Sequence, residues 1–283
     1  MRCEKWHSLG NDYLVIEEGV LPWDLSPERV RRLCDRHTGF GADGVLGITV
    51  ATEPGTVARL RVFNPDGSEA ELSGNGARQA AVYLHRSGWT ERREFSIQTR
   101  AGELRAQIAP DGRTCTMAMG RARLASGDFP GGPDNGIATI DSGGRRWAGQ
   151  HVQVGNPQFS IRVDSESALD ELDLQEVGPG IERHEAFPNR TNVSFYCETG
   201  PDRIRARIFE RGVGETSASG TGASGAAIAH VLRGGDNPVT VALDGGELIV
   251  DADESLLYSL TGWAEPVYGA QLSDELMATL AAC

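Results

Sequence analysis

Two serines 146 residues apart, Ser73 and Ser219, each stand just before an alanine-rich segment in the setting S-G-x-G-A. The segment reads as a helix, so each hydroxyl sits where backbone N–H groups lack partners and the positive end of the helix dipole emerges. Such an end favours a carboxylate or another anion. Two of them related by a pseudo-twofold axis would make a cleft holding a small acid, with Ser73 and Ser219 approaching it from opposite sides. A serine in this position is often no more than a helix cap, but the residues around this pair argue for a duplicated site.

Residues 61–81, RVFNPDGSEAELSGNGARQAA, return as residues 207–227, RIFERGVGETSASGTGASGAA. The matches are Arg61/Arg207, Phe63/Phe209, Glu69/Glu215, Ser73/Ser219, Gly74/Gly220, Gly76/Gly222, Ala77/Ala223, Ala80/Ala226 and Ala81/Ala227. Two caps do not require nine identities. A single recurrence near half the chain length points to two duplicated domains and not to a solenoid of short repeats.

The elements that position the serines follow from patterning. Leu60 and Val62 in one copy, Ile204 and Ile208 in the other, alternate as in a strand, and a Gly-rich turn leads into each helix. After the helices, Phe95–Ala109 reads as a hairpin about Ala101-Gly102, and Val239–Ala252 as its counterpart about Gly245-Gly246, with Gly-Glu-Leu shared. Gly10-Asn11 before a strand is echoed by Gly155-Asn156 at an offset of 145. Gly-Asn is an ordinary turn pair, but the matched placement directs both asparagines to the shared cleft. Ser26–His37 reads as a helix capped by Ser26 with Pro27 at its first position, burying Val30, Leu33 and Cys34. The C-terminal SDELMATLAAC reads as a short helix capped by Ser273 that packs on the first domain.

The expected fold is α/β of the α+β kind: two pseudo-twofold-related domains, each a sheet wrapped around a central helix. The first domain spans 1–117 and is completed by 265–283. The second spans 118–264, the change falling just before the Gly/Pro/Asp-rich loop 127–136.

The chain has 283 residues, enough for two separate cores. With 40 acidic against 27 basic residues, it lacks the basic footprint of a nucleic-acid binder. Cys3, Cys34, Cys115, Cys197 and Cys283 are scattered and odd in number, which argues against a disulfide framework or a zinc site. The histidines show no metal-ligand spacing, and His85 and His230 are expected at the surface or beside a helix C-terminus. The loop TGFGADG, which contains Gly44, fits neither the phosphate-loop nor the dinucleotide pattern. No signal-peptide core or long apolar run is present, so no membrane association and a cytoplasmic location are expected.

The motifs GNDY, FNPDGSEAELSGNGAR, VGNP, FPNRTNV and ERGVGETSASGTG, in this order and spacing, resemble those of the diaminopimelate epimerase family across essentially the whole chain. The resemblance implies an isomerase of lysine and peptidoglycan-precursor biosynthesis, acting on a small amino acid without metal or organic cofactor, and working as a homodimer. It implies two similar domains with the active site between them. Two thiols at the central helix N-termini would exchange a proton with opposite faces of the substrate α-carbon, since inversion needs one base and one acid on opposite sides.

Position by position, the family's substrate contacts fall on Asn11, Asn64, Gly74, Asn75, Asn156, Asn192, Glu210, Arg211, Gly220 and Thr221. Gly44 and Gln158 stand as auxiliary positions. The thiol positions are Ser73 and Ser219 here, and Gln158 replaces a histidine, so Glu210 alone remains of the ionisable helpers. A serine hydroxyl needs an adjacent base. Three readings stay open: an epimerase working with Ser73, Ser219 and Glu210, or one whose natural cysteines have been replaced by these serines; a sister isomerase in which Glu210 moves the proton and the serines donate hydrogen bonds; and a binding protein without turnover.

Overall fold

The computed structural model describes residues 2–283, which divide into two compact units, residues up to 118 with 262–283 and residues 119–261. In the first unit β1 (Arg2–Ser8), β2 (Asn11–Glu17), α1 (Pro27–Cys34), β3 (Val45–Val50), β4 (Thr56–Phe63) and the short β5 (Glu69–Ala70) lead into α2 (Gly74–Arg86). β6 (Glu94–Thr99), β7 (Gly102–Ile108) and β8 (Thr114–Arg121) follow. The second unit opens with β9 (Ile137–Ser142), β10 (Arg145–Gln153), β11 (Pro157–Arg162), α3 (Glu166–Asp170) and α4 (Leu174–Glu182). β12 (Asn192–Gly200), β13 (Arg203–Glu210) and β14 (Gly214–Thr216) lead into α5 (Gly220–Leu232), and β15 (Val239–Leu243), β16 (Gly246–Ala252) and β17 (Leu257–Trp263) follow. β18 (Glu265–Gln271) and α6 (Asp274–Ala281) end the chain.

Each unit repeats the same order of strand pairings. In the first, the neighbours run β18, β1, β2, β3, β4, β6, β7, β8, with β2–β3 and β4–β6 parallel and the other pairs antiparallel. In the second they run β9, β10, β11, β12, β13, β15, β16, β17, with β11–β12 and β13–β15 parallel and the others antiparallel. β18 therefore fills the place that β9 fills in the other unit, although it lies at the far end of the chain. Sequence similarity fades before that strand, so the repeat extends further in structure than in residues.

Each central helix is buried on every face. All residues from Gly74 to Leu84 of α2 are buried, as is α5 over Gly220 and Gly222–His230. A helix apolar or small all round is one that the sheet encloses, which is why the alanines repeat. The shared glycine sets the closest approach: a methyl at Gly76 would lie 2.9 Å from Leu46 Cδ2, and one at Gly222 would lie 2.6 Å from Ile208 Cδ1.

The repeated Arg and Glu form a strut beneath each Gly-rich turn. Arg61 Nη2 donates to Glu69 Oε2 at 2.9 Å, and Arg207 Nη2 to Glu215 Oε1 at 2.6 Å. Arg207 also donates to the Leu169 and Leu172 carbonyls at 2.8 and 2.9 Å. Its side chain is only 15% exposed, so Arg207→Met strands a carboxylate and two carbonyls. We expect a loss of about 3 kcal/mol, the scale for one partner removed from a buried pair, measured by chemical denaturation. A loss below about 0.5 kcal/mol, the size typical of a surface change, would show the strut to be dispensable.

Helix α1 is capped by Ser26 and buries Val30, Leu33 and Cys34. It ends at Cys34, short of His37, because Asp35 turns extended and binds the following Thr38. Helix α6 is capped by Ser273 and buries Leu280 in a core with Cys3, Leu14, Val30 and Leu33. Both hairpin turns sit one residue earlier than expected, since Gly102 and Gly246 already pair as the first residues of β7 and β16. His230 lies in the last turn of α5, the second of the two expected places, and not at the surface: it is 2% exposed and its Nε2 bonds the Pro201 carbonyl at 2.9 Å. The small residues of α5 let strands close over that end of the helix, which the sequence reading did not foresee.

Candidate active site

Both serines cap their helices in the same way. Ser73 Oγ accepts from Gly76 N at 3.1 Å, and Ser219 Oγ from Gly222 N at 3.2 Å. Each thus takes one N–H of the first turn and lies against the positive end of its helix.

Beyond the cap they differ. Ser219 donates to Glu210 Oε2 at 2.9 Å, while Thr216 donates to Glu210 Oε1 at 2.8 Å. Burial pushes the Glu210 carboxyl above its ordinary range, and the two hydroxyls hold part of that rise back. A carboxylate tuned upward beside a hydroxyl is suited to act as its base. Ser73 instead accepts from the Tyr13 hydroxyl at 3.1 Å, and the residue in the place of Glu210 is Asn64. Gly44 makes room for Tyr13, because a methyl there would lie 2.6 Å from its ring and 2.3 Å from the Phe63 carbonyl oxygen.

The asparagines are held by named partners. Asn11 Nδ2 donates to Asp43 Oδ2 at 3.0 Å, and its carbonyl accepts from Gln79 at 2.9 Å. Asn64 bonds Ser68 Oγ at 2.9 Å within its own turn. Asn192 donates to the Pro157 carbonyl at 3.0 Å and accepts from Arg211 N at 2.9 Å, which ties the end of β11 to the turn after Glu210. Gln158 is fully buried and donates to Asn156 Oδ1 at 2.7 Å, and Asn156 donates to Thr221 Oγ1 at 3.3 Å. The glutamine thus orients the asparagine that reaches the first turn of α5. Gly10 and Gly155, with φ of 86° and 103°, provide the left-handed turns before β2, which Asn11 opens, and before β11, which Asn156 immediately precedes.

Arg211 is exposed, and its Nη1 donates to the Asn189 carbonyl at 3.0 Å, so its charge has no carboxylate partner in that bond. Gly74 and Gly220 are the first residues of their helices. Burial pushes the Cys3, Cys34 and Cys115 thiols up to about 12 and raises Cys197 as well, which leaves these four poor thiolate bases. Among the described residues no group of three His, Cys, Asp or Glu side chains is placed to hold a metal.

Sequence reasoning missed Tyr13, Thr216 and Arg78. Tyr13 lies at the same offset from Gln158 as Asn11 from Asn156, a signal that was present but carried no chemistry until the fold brought the phenol to Ser73. Thr216 lies within the ERGVGET motif, six residues after Glu210.

This fold recurs in solved structures of low sequence identity. A probable proline racemase from Agrobacterium radiobacter superposes with a TM-score of 0.69 at 18% identity, covering 96% of this chain and 93% of the other. A phenazine biosynthesis protein of the PhzF family from Bacillus anthracis superposes with a TM-score of 0.66 at 16% identity, covering 96% and 99%. The diaminopimelate epimerase family profile matches residues 3–125 and 151–264. The diaminopimelate epimerase of Synechococcus sp. is 39% identical over 95% of this chain and 97% of its own, and that of Aromatoleum aromaticum is 40% identical over 88% and 89%. The chain belongs to the diaminopimelate epimerase family.

Proposed function

We propose that this protein epimerises diaminopimelate by two-base proton transfer at the α-carbon, without a cofactor, in the formation of lysine and peptidoglycan precursors. The hydrogen bond from Ser219 to the burial-tuned Glu210 carries the proposal, because it supplies the base that an isolated serine lacks. Ser219 Oγ takes the α-hydrogen as its own proton passes to Glu210. Ser73, which accepts from Gly76 N and from Tyr13, gives its own proton to the opposite face of the carbon and takes one from the Tyr13 hydroxyl, so the charge rests on the phenol until solvent restores that proton. Inversion needs acid and base on opposite faces, so the proposal requires both half-sites to engage one substrate.

Asn11, Asn64, Asn156, Asn192 and Arg211 are assigned to the distal amino-acid end, whose ammonium and carboxylate call for both acceptors and donors. The α2 and α5 N-termini, with Gly74, Asn75, Gly220 and Thr221, are assigned to the reacting carboxylate. Gly44 and Gln158 act through Tyr13 and Asn156.

The test is incubation with diaminopimelate stereoisomers in heavy water, following α-deuterium uptake and stereoisomer ratio. Uptake with inversion is expected; binding without uptake would mark a protein that keeps the pocket and has lost turnover. A second reading has an observation of its own. The raised Glu210 carboxyl could itself remove a more acidic α-hydrogen from another small acid, with both serines as donors, and uptake by that acid alone would favour it. Elemental analysis and an absorption spectrum of the active protein should show neither stoichiometric metal nor chromophore. The resemblance also carries a cytoplasmic homodimer, which sedimentation velocity and cell fractionation test.

A further inference from the structure

Arg78 lies one turn into α2, wholly shielded from solvent, and no role has yet been given to it. Its Nη2 donates to Asn75 Oδ1 at 2.5 Å and its Nη1 to the Gly74 carbonyl at 3.4 Å. Nε, also buried, finds no partner. No described carboxylate pairs with this guanidinium, and although burial brings it down to about 10, it stays charged near neutral pH. A buried, unneutralised cation is expensive, and its position beside the first turn of α2 asks what anion completes it.

The contact with Asn75 has a directional consequence. A guanidinium only donates, so the amide facing it must present oxygen. The Asn75 N–H groups are therefore turned away from Arg78, and no described residue accepts from them. The corresponding turn of α5 is built differently. Ser224 occupies the place of Arg78 and donates to the Gly220 carbonyl at 2.8 Å, while Thr221, in the place of Asn75, accepts from Asn156. One helix end thus carries a buried positive charge and a free amide donor, and the other carries neutral groups beside the Glu210 carboxyl.

We propose that Arg78 is a positioning residue for the substrate's reacting carboxylate: acting through Asn75, it turns the amide N–H groups toward that carboxylate and places it at the α2 end. This rests on the substrate reading above. The asymmetry gives the half-sites different tasks, since the α2 end carries the charge that draws an anion and the α5 end carries the carboxyl that acts as base.

Calorimetric binding of diaminopimelate and the side-chain amide NMR signals of Asn75 test it together. Arg78→Gln should weaken binding at least about tenfold, and Arg78→Lys, which keeps the charge, should recover most of it. Ser224→Ala should change affinity by less than about threefold, as expected of a neutral hydroxyl remote from the anion. In the wild type the Asn75 amide protons should move downfield on binding, and in Arg78→Gln they should not. The inference is overturned if Arg78→Gln binds as the wild type does, if Arg78→Lys is as weak as Arg78→Gln, or if the Asn75 response survives without the guanidinium. Should Arg78→Gln fail to fold, Asn75→Asp decides, because it cancels the charge and faces oxygen outward. That variant should lose at least about tenfold, and unchanged binding would refute the role. A wild-type protein that binds no diaminopimelate refutes the substrate reading itself, and this inference with it.

Discussion

Exchanging Ser73 and Ser219 together for cysteine should raise diaminopimelate epimerisation by about a hundredfold or more, the scale of a competent general acid–base group. A thiol has a reference pKa of about 8.5, far below that of an alcohol, and a helix N-terminus lowers it further. Both positions already receive a first-turn N–H, from Gly76 and Gly222, and a thiolate would accept the same bonds. At position 219 the Glu210 carboxyl stands ready to take the thiol proton, and at position 73 the Tyr13 hydroxyl would add a donor to the thiolate. Either single change should give α-deuterium uptake without efficient inversion, because a serine at the other position returns the proton poorly. Gln158→His is the natural third change, though Gln158 is buried and orients Asn156, so a gain there must outweigh that lost bond. If the double variant binds diaminopimelate yet neither exchanges nor inverts it, the half-sites are not poised for this chemistry.

Glu210→Gln should reduce α-deuterium uptake by the serine protein at least about a hundredfold, since the hydroxyl of Ser219 loses the base it donates to. The amide keeps the size of the side chain and can still meet Thr216 and Ser219, so binding of diaminopimelate should change far less than uptake. The pH dependence follows from the direction of the Glu210 shift. Its carboxyl is raised by burial, and only the ionised form accepts a proton. Wild-type uptake should therefore climb with pH through a midpoint above that of an ordinary glutamate, and the variant should lack that limb.

Stability should respond in the opposite sense. The folded state holds this proton more tightly than the unfolded one, so wild-type stability relative to Glu210→Gln falls as pH rises from the unfolded pKa and levels off above the folded one. Denaturant titrations from acid to neutral pH measure this. Equal uptake by the two proteins would transfer the base role elsewhere.

The sequence by itself determined the duplication, the helix ends and the family. Nine identities across 146 residues, the small-residue helices and the Gly-rich turns are local patterns, and local patterns survive in a linear string. They located Ser73, Ser219 and Glu210 without coordinates. The reasons for several of those identities emerged only with the fold: Arg61 and Arg207 recur as struts to Glu69 and Glu215, and Gly76 and Gly222 recur because Leu46 and Ile208 press on them.

Tertiary structure alone decided how the two halves differ. Tyr13 stands 60 residues from Ser73, and Gln158 reaches Thr221 through Asn156, so the repeat offset pairs Tyr13 with Gln158 but does not reveal the partner of either. β18 completes a ladder whose opening strands lie at the other end of the chain. Arg78 is an ordinary helical arginine in the string, and only the sheet enclosing α2 makes it a buried cation with no carboxylate partner among the described residues. Its environment is set by strands distant in sequence, and hydrogen-bond polarity at each serine depends on what those strands bring near. That physical fact separates two serines which the sequence presents as equivalent.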